Sequence, residues 1–209
     1  MQKLIPAILT ANVEDLRQKL DALKGVSQWM HIDIMDGEFV SNTSVALSEC
    51  VLAQDFKLEI HLMVNHPERY FEECEAIGAK RVIFHAEAVD NLKATLENMQ
   101  AYPFEKGVAL NPETSSHILK GSEELIDSFL FMTIRPGFQG QEFIPSVLEK
   151  IRAFKIFFPH AFIGVDGGVD QDTLKEVFRS GVSYAIVGSG IWQTANPKET
   201  LKKLEAMIQ

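Results

Sequence analysis

The sequence predicts an α/β fold, a (β/α)8 TIM barrel formed by a single domain over residues 1–209. Short apolar or β-branched runs alternate with longer amphipathic stretches along the chain, which is typical of repeated βα units around a parallel sheet. The chain contains eight such runs, whereas an open Rossmann-like sheet usually stops at about six strands. Because no low-complexity segment or Pro/Ser-rich linker interrupts the pattern, we expect no domain boundary.

Each predicted strand is followed by a predicted helix. Asn12 and Asn196 stand where a side chain can cap the first and last helices, and Pro197 occupies a first-turn position, where its missing N–H is not needed. The predicted strands are 4–9, 29–34, 58–63, 81–85, 107–110, 129–134, 162–166 and 184–187. The predicted helices are 13–23, 44–53, 67–77, 91–100, 115–119, 144–157, 171–180 and 197–207, of which 44–53 has the weakest pattern.

The composition limits the classes of partner. A net charge of -9 and an isoelectric point near 5.2 oppose binding to nucleic acid or to an anionic membrane, because the mean field repels phosphate groups. A small anionic ligand would need a local electropositive pocket. The N-terminal apolar run is too short for a signal peptide, and no apolar stretch reaches the roughly 20 residues that span a bilayer, so we expect a cytoplasmic protein. Cys50 and Cys74 predict no disulfide framework.

Polar side chains interrupt strands that are otherwise apolar. His31 and Asp33 alternate with isoleucines in the second strand and therefore point to one face, which would be the barrel axis. His61 lies near the C-terminal end of the third strand, and Asp166 ends the seventh. A lone buried histidine is usually a hydrogen-bonded core residue, but burying four unpaired polar groups would be costly. A shared divalent cation is the simpler explanation. Asp36 would point to the opposite face and is expected to cap a turn.

Zinc is the cation that we expect first at a mixed nitrogen and oxygen set, with iron, manganese or cobalt as alternatives.

Glycine-rich turns follow three successive strands. They are RPGFQGQ at 135–141, DGG at 166–168 and GSG at 188–190. Any one of them is an ordinary turn. Glycines, however, let backbone N–H groups approach an anion closely, and the loops after strands seven and eight of such barrels commonly bind phosphate. Three such turns at one end of a barrel therefore indicate a phosphate site, to which Ser189 could add a hydroxyl donor.

Seven segments of the chain resemble the ribulose-phosphate 3-epimerase family. They occur in the family's order and over nearly the whole chain, and together they are specific for that family, although no single one is. The segments are PAILTA (6–11), HIDIMDGEFVSN (31–42), HLMV (61–64), FHAEA (84–88), MTIRPGFQGQEFIP (132–145), VDGGV (165–169) and VGSGI (187–191).

The resemblance implies a metal-dependent isomerase. One divalent metal ion per chain would be held by His31, Asp33, His61 and Asp166. Asp33 and Asp166 would also be the acid and the base, because epimerisation beside a carbonyl removes a proton from one face and returns a proton to the other. The partner would be a small sugar phosphate, and a homo-oligomer is implied.

The resemblance also implies the residues of the substrate pocket. Met35, Met63 and Met132 would lie beside an enediolate intermediate and exclude water, although ordinary core filling explains these methionines equally well. The implied phosphate-binding residues are Gly137, Gly140, Gly167, Gly168, Gly188 and Ser189.

The chain departs from the family pattern around this pocket. Ala7 stands where the family usually has serine, so one hydroxyl contact is missing. Gln139 replaces a glycine, and its side chain could crowd the phosphate loop or enter the pocket. Arg135 could compensate for a lost contact or bind a different group. Glu38 and Ser41 replace histidine and proline in the loop after the second strand.

Four functions remain open at this point. The complete set of metal ligands favours an epimerase that converts D-ribulose 5-phosphate to D-xylulose 5-phosphate, and the altered loops favour another ketose phosphate, such as D-allulose 6-phosphate. A decarboxylase on the same barrel would need a lysine among carboxylates, and the DxKxxD array of such enzymes is absent from the sequence. Ala7 and Gln139 favour a phosphosugar-binding protein without turnover.

Overall fold

The structure, a computed structural model, describes residues 3–138 and 140–208. Eight parallel strands each pair with the next, and the last pairs with the first, so that they form a closed barrel. This arrangement confirms the predicted (β/α)8 barrel and excludes the open sheet. The strands are β1 (Lys3–Ile8), β2 (Trp29–Met35), β3 (Lys57–Met63), β4 (Arg81–His85), β5 (Glu105–Leu110), β6 (Ser128–Met132), β7 (Ile163–Asp166) and β8 (Tyr184–Val187).

Helices surround the barrel and connect its strands. The α-helices are α1 (Val13–Leu23), α2 (Phe71–Ala76), α3 (Leu92–Met99), α4 (Ser146–Phe157), α5 (Leu174–Arg179), α6 (Ser189–Trp192) and α7 (Pro197–Ala206). Single 3-10 helices cover Leu47–Ala53, Pro67–Tyr70, Ala86–Ala88, Ser116–Leu119 and Glu123–Leu125. Over residues 3–138 and 140–208, none of the helices is long and apolar enough to cross a membrane.

Local hydrogen bonds explain where several helices begin. The Asn12 side chain accepts the N–H groups of Glu14 and Asp15, and that of Asn196 accepts the N–H of Glu199, so both predicted caps are confirmed. The helix predicted at 171–180 begins only at Leu174. Asp170 accepts the N–H groups of the second and third residues after it and closes a separate turn first.

Three further differences from the prediction concern short segments. The stretches predicted as helices at 44–53 and 115–119 form 3-10 helices over Leu47–Ala53 and Ser116–Leu119, a geometry that is common in short connections. The sequence does not predict α6, because the GSG segment that starts it is typical of a turn.

Strand alternation separates two apolar cores. The larger lies between the barrel and its helices, and the smaller fills the barrel axis. In the register of β2 and β3, His31 pairs with Glu59 and Asp33 pairs with His61, so polar side chains enter the interior from this side. The apolar residues of the axis are Ile5, Ala7, Ile83, Ala109, Leu130, Met132, Ile134, Tyr184 and Ile186.

Candidate active site

Four polar side chains converge inside the C-terminal end of the barrel. His31 and Asp33 come from β2, His61 comes from β3, and Asp166 ends β7. One ligand atom of each residue lies within 4.8 Å of those of the other three. Because β8 and β1 separate β7 from β2, the side chains reach this centre from different sides of the barrel. The structure thus brings together the four residues that the sequence singles out.

One nitrogen of each imidazole faces the two carboxylates. His31 Nε2 lies 3.1 Å from Asp33 Oδ1 and 3.9 Å from Asp166 Oδ2. His61 Nδ1 lies 3.0 Å and 3.6 Å from the same two oxygens. The imidazoles are fully buried, whereas the side chains of Asp33 and Asp166 are 10% and 14% exposed. The carboxylates therefore border the open pocket, and the imidazoles lie behind them.

The surroundings push the pKa values of the two aspartates in opposite directions. Burial and the neighbouring charge of Asp33 raise the pKa of Asp166. Burial works in the same sense on Asp33, but hydrogen bonds from His31 and His61 outweigh it and hold the pKa of Asp33 below its usual range. The pair therefore favours one ionised and one protonated carboxyl group, which is the arrangement that acid/base chemistry on two faces of a substrate requires.

The donor set fits a divalent cation. Burial works to lower the pKa of His31, but hydrogen bonds to Asp33 and Glu59 raise it well above its ordinary value. The site therefore favours a positive charge at its centre, which a proton or a cation can supply. Burial lowers the pKa of His61, so that imidazole is neutral and suited to be a ligand. Two imidazole nitrogens and two carboxylate oxygens form a set that could hold a borderline cation such as zinc.

The far side of each imidazole is also hydrogen-bonded. His31 Nδ1 lies 2.6 Å from Oε1 of Glu59, which is fully buried. His61 Nε2 lies 2.9 Å from Nε2 of His85, and Nδ1 of His85 lies 3.5 Å from Glu87 Oε2. An outer partner of this kind fixes the ring orientation and tautomer of a metal-binding histidine. Each imidazole thus has a carboxylate behind it, one directly and one through a second histidine.

The sequence patterns do not identify these outer residues as members of the site. Alternation along β3 places Glu59 on the same face as His61, and alternation along β4 places Arg81 and His85 on one face. This alternation could have indicated that these side chains point into the barrel. A single glutamate or histidine in a strand does not by itself show which ring it will contact.

A pocket opens above Asp33 and Asp166 at the C-terminal end of the barrel. Its space, counted out to the open mouth and including solvent there, measures about 500 Å³. Ala7, Met35, Met63 and Met132 line it together with the two aspartates. The three methionines are almost completely buried, and their side chains make part of the pocket wall apolar.

The glycine turns line the same pocket. Gly167 has φ +109°, and a Cβ built on it would lie 2.3 Å from Cγ1 of Ile134. Glycine is therefore required there by the backbone and by packing. Among the lining residues that the structure describes, none is a lysine or an arginine. An anion in this pocket would therefore be bound by backbone N–H groups and the Ser189 hydroxyl. The turn residues that line the pocket are Gly137, Gly140, Gly167, Gly168, Gly188 and Ser189.

The residues that depart from the family pattern differ in position. Ala7 lines the pocket. Arg135 does not, because its side chain is 75% exposed and its Nε donates to Glu113 at 2.9 Å. The expectation that Arg135 compensates for a lost contact in the pocket therefore has no support in this geometry. Glu38 and Ser41 are exposed and lie outside the pocket lining. Gln139 lies outside the described residues.

Asp36 caps a turn, as predicted. Its Oδ1 accepts the N–H groups of Glu38 and Phe39, and its Oδ2 accepts the N–H of Asn65. Both carboxylate oxygens are thus engaged by backbone, and Asp36 joins the loops that follow β2 and β3.

The chain is similar to curated epimerases over nearly its full length. The model of the ribulose-phosphate 3 epimerase family matches residues 3–192. A ribulose-phosphate 3-epimerase of Bacillus subtilis (strain 168) is 34% identical over 213 residues and covers 98% of each chain. That of Mycobacterium tuberculosis (strain H37Rv) is 32% identical, covering 95% of this chain and 90% of the relative. A rice protein named as the cytoplasmic isoform is also 32% identical, with 99% and 94% covered.

Solved structures of other enzymes share the fold. A 3-hexulose-6-phosphate synthase of Salmonella typhimurium superposes with a TM-score of 0.76 at 15% identity, covering 99% of this chain and 98% of that chain. An orotidine 5'-phosphate decarboxylase of Pyrococcus horikoshii gives 0.73 at 14% identity and 98% of each chain. At these identities the likeness concerns the barrel alone. The sequence relatives and the family match are the specific findings, and the chain belongs to the ribulose-phosphate 3 epimerase family of isomerases.

Proposed function

We propose that this chain is a metal-dependent epimerase that inverts C3 of D-ribulose 5-phosphate to give D-xylulose 5-phosphate. The observation that carries the proposal is the pair Asp33 and Asp166. They border one pocket from different sides of the barrel, above two imidazoles, and their pKa values are shifted in opposite directions. The named activity of the relatives supports the choice of substrate.

The two carboxyl groups would exchange roles in each turnover. The ionised carboxylate removes the proton from C3 of the ketose on one face, and the electron pair of the broken C–H bond forms an enediolate with the neighbouring carbonyl. The protonated carboxyl group then delivers its proton to C3 on the other face. The product has the opposite configuration, and the two carboxyl groups end with their protonation states exchanged, which makes the reverse reaction equivalent.

His31, Asp33, His61 and Asp166 would hold one divalent metal ion, with zinc expected first and iron, manganese or cobalt compatible with the same donors. A cation bound there would supply positive charge beside the developing enediolate. Glu59 and His85 keep the two imidazoles turned toward the centre.

The methionines and the glycine turns would contact different parts of the substrate. Met35, Met63 and Met132 cover the reacting end with apolar, polarizable surface, which excludes water from the enediolate. The turns after β6, β7 and β8 present backbone N–H groups to the phosphate. This division lets a chain of strongly negative net charge bind an anion without a cationic side chain.

A coupled assay with purified, metal-loaded protein tests the proposal. We expect turnover of D-ribulose 5-phosphate, and loss of turnover in Asp166→Asn with one metal ion per chain in the wild type. A protein that binds metal and sugar phosphate without turnover would be a binding protein instead. A sample that fails on this substrate despite bound metal would contradict the proposal.

Ala7 supports one competing substrate class. Ala7 lacks the side-chain hydroxyl that the family usually places in this pocket, and its side chain in the pocket wall is smaller than serine. A hexulose phosphate such as D-allulose 6-phosphate would be tested by relative kcat/KM against the pentulose. A higher value for the hexulose would change the substrate and keep the mechanism. We further propose a cytoplasmic homo-oligomer. The rice relative named as a cytoplasmic isoform supports the location.

A further inference from the structure

Charged side chains form a continuous chain from the bottom of the barrel to His31. Glu105 lies at the outer end, and its Oε2 accepts Nε of Arg81 at 2.7 Å. Arg81 Nη1 donates to Oε2 of Glu59 at 2.5 Å, and Oε1 of Glu59 lies 2.6 Å from Nδ1 of His31. Glu105 is half exposed, whereas Arg81, Glu59 and His31 are buried. The inner part of the chain is therefore shielded from water.

Aromatic rings hold the Arg81 guanidinium in place. Its carbon lies 4.8 Å from the ring centre of Trp29, 5.0 Å from that of Phe162 and 5.1 Å from that of Tyr184. Tyr184 is itself fixed by a hydrogen bond of 2.8 Å with Ser128. A planar guanidinium within such a cage has few orientations. Arg81 therefore presents its donors to Glu59 in a defined direction.

The two oxygens of Glu59 have separate partners. Oε2 is occupied by Arg81, which leaves Oε1 to face His31. Without Arg81 the carboxylate would be a buried charge without its cation, free to turn about its terminal bond. The orientation of Glu59 thus depends on Arg81, which lies at the end of the barrel opposite the pocket.

We propose that Arg81 is a positioning residue for the metal centre: it holds Glu59 so that Glu59 fixes the ring of His31 with Nε2 toward the metal. This inference rests on the metal site of the proposed function. It goes beyond that proposal because it assigns part of the metal affinity to a residue that closes the N-terminal end of the barrel and contacts neither metal nor substrate. A residue that only closes the barrel would affect folding stability and leave the metal affinity unchanged.

Metal affinity, measured by competition with a chromophoric zinc chelator, tests the role of Arg81. We expect Glu59→Gln to weaken zinc binding by about 10- to 100-fold, the usual effect of losing an outer partner, and Arg81→Met to weaken it by about tenfold or more. Because both act through the same hydrogen bond to His31, the double variant should be weaker than wild type by much less than the product of the two effects.

Glu105→Gln is the matched control. It removes the other carboxylate that contacts the same guanidinium, but it leaves Glu59 paired and lies at the solvent-exposed end. We expect its zinc affinity to stay within about twofold of wild type. Equal losses in Arg81→Met and Glu105→Gln, or wild-type affinity in a folded Arg81→Met, would overturn the inference.

The imidazole nitrogens of His31 give a second readout that does not depend on activity. In a long-range ¹H–¹⁵N spectrum of the zinc-loaded protein, Nδ1 of His31 should carry a strongly hydrogen-bonded proton, and the resonance of that proton should shift upfield in Arg81→Met. Arg81→Lys keeps the charge and serves if Arg81→Met does not fold; its Nδ1 proton should shift in the same direction. An unshifted proton in a folded Arg81 variant would overturn the inference.

The wild-type measurements separate this inference from the proposed function. If the wild type binds no metal, both the proposed function and the positioning role of Arg81 are wrong. If it binds zinc and turns over the ketose phosphate while the Arg81 variants bind zinc equally well, only the positioning role falls.

Discussion

Glu87→Gln should lower the free energy of unfolding at neutral pH, and most of this loss should disappear in acid. Glu87 lies beyond His85 in the chain that supports His61, and its side chain is 20% exposed. Burial works to raise its pKa, but contacts with His85 and Thr114, the charge of His85 and the hydrogen bond from the N–H of Asn111 together lower the pKa from 4.5 to about 2. The N–H of Asn111 lies 2.8 Å from Glu87 Oε1.

The size of the effect follows from these two pKa values. A carboxyl group whose pKa is lowered in the folded state stabilises the fold above its unfolded pKa, and this contribution is lost as pH falls toward its folded pKa. A change from 4.5 to about 2 corresponds to at most about 3 kcal/mol near pH 7. The contact with His85 is long, at 3.5 Å, so the measured value should lie below this limit. Somewhat more than half of the contribution should be gone by about pH 3.

Chemical denaturation of wild type and Glu87→Gln between pH 7 and about pH 3 measures this contribution. The other carboxyl groups titrate in both proteins, so the difference between the two unfolding free energies isolates Glu87. We expect the difference to be largest at pH 7 and to shrink steadily below about pH 5. A difference that stays constant over this range would refute the reasoning, because it would assign the effect of Glu87 to packing rather than to its charge.

Three further outcomes follow from the site and its frame. Removing metal with a chelator should abolish turnover. Zinc at about 100 times its Kd should restore turnover and add about 2.7 kcal/mol to the unfolding free energy. A melting temperature that zinc leaves unchanged would contradict a bound ion. Gly167→Ala should lower the unfolding free energy by about 1–3 kcal/mol or more, because the added Cβ overlaps Ile134, and it should weaken phosphate binding. Gly25→Ala is the control, with φ +72° and nothing within 4 Å of the added Cβ, and should lower the unfolding free energy by less. Equal losses in the two variants would show that the overlap contributes nothing. Asn196→Ala should lower the unfolding free energy by about 1 kcal/mol, since it removes the cap of α7; denaturation without such a loss would show that the cap contributes nothing.

The barrel could be predicted because each strand carries its own signal. Apolar runs and turn residues are local properties, and eight of them in order leave few alternatives to a closed barrel. The short segments were less predictable. Leu47–Ala53 and Ser116–Leu119 are too short for hydrophobic periodicity to distinguish a 3-10 from an α-helix, and the glycines around Ser189 hide the start of α6.

The site could be predicted as far as strand alternation reaches. Alternation and strand ends suffice to bring His31, Asp33, His61 and Asp166 to one place. Loop side chains have no such rule, and Arg135 accordingly points to Glu113 instead of the pocket. The pairing of Glu59 with Arg81 depends on the register of β3 and β4, which the sequence does not give.

The central claim is that protons pass to and from C3 through two carboxyl groups on opposite faces of the sugar. Epimerisation of D-ribulose 5-phosphate in D2O tests it most directly, with the label located by NMR or mass spectrometry. We expect D-xylulose 5-phosphate that carries deuterium at C3, because the acid that delivers the proton exchanges with solvent before it acts. A product formed at full rate with its original C3 hydrogen and no deuterium would contradict the two-carboxylate account.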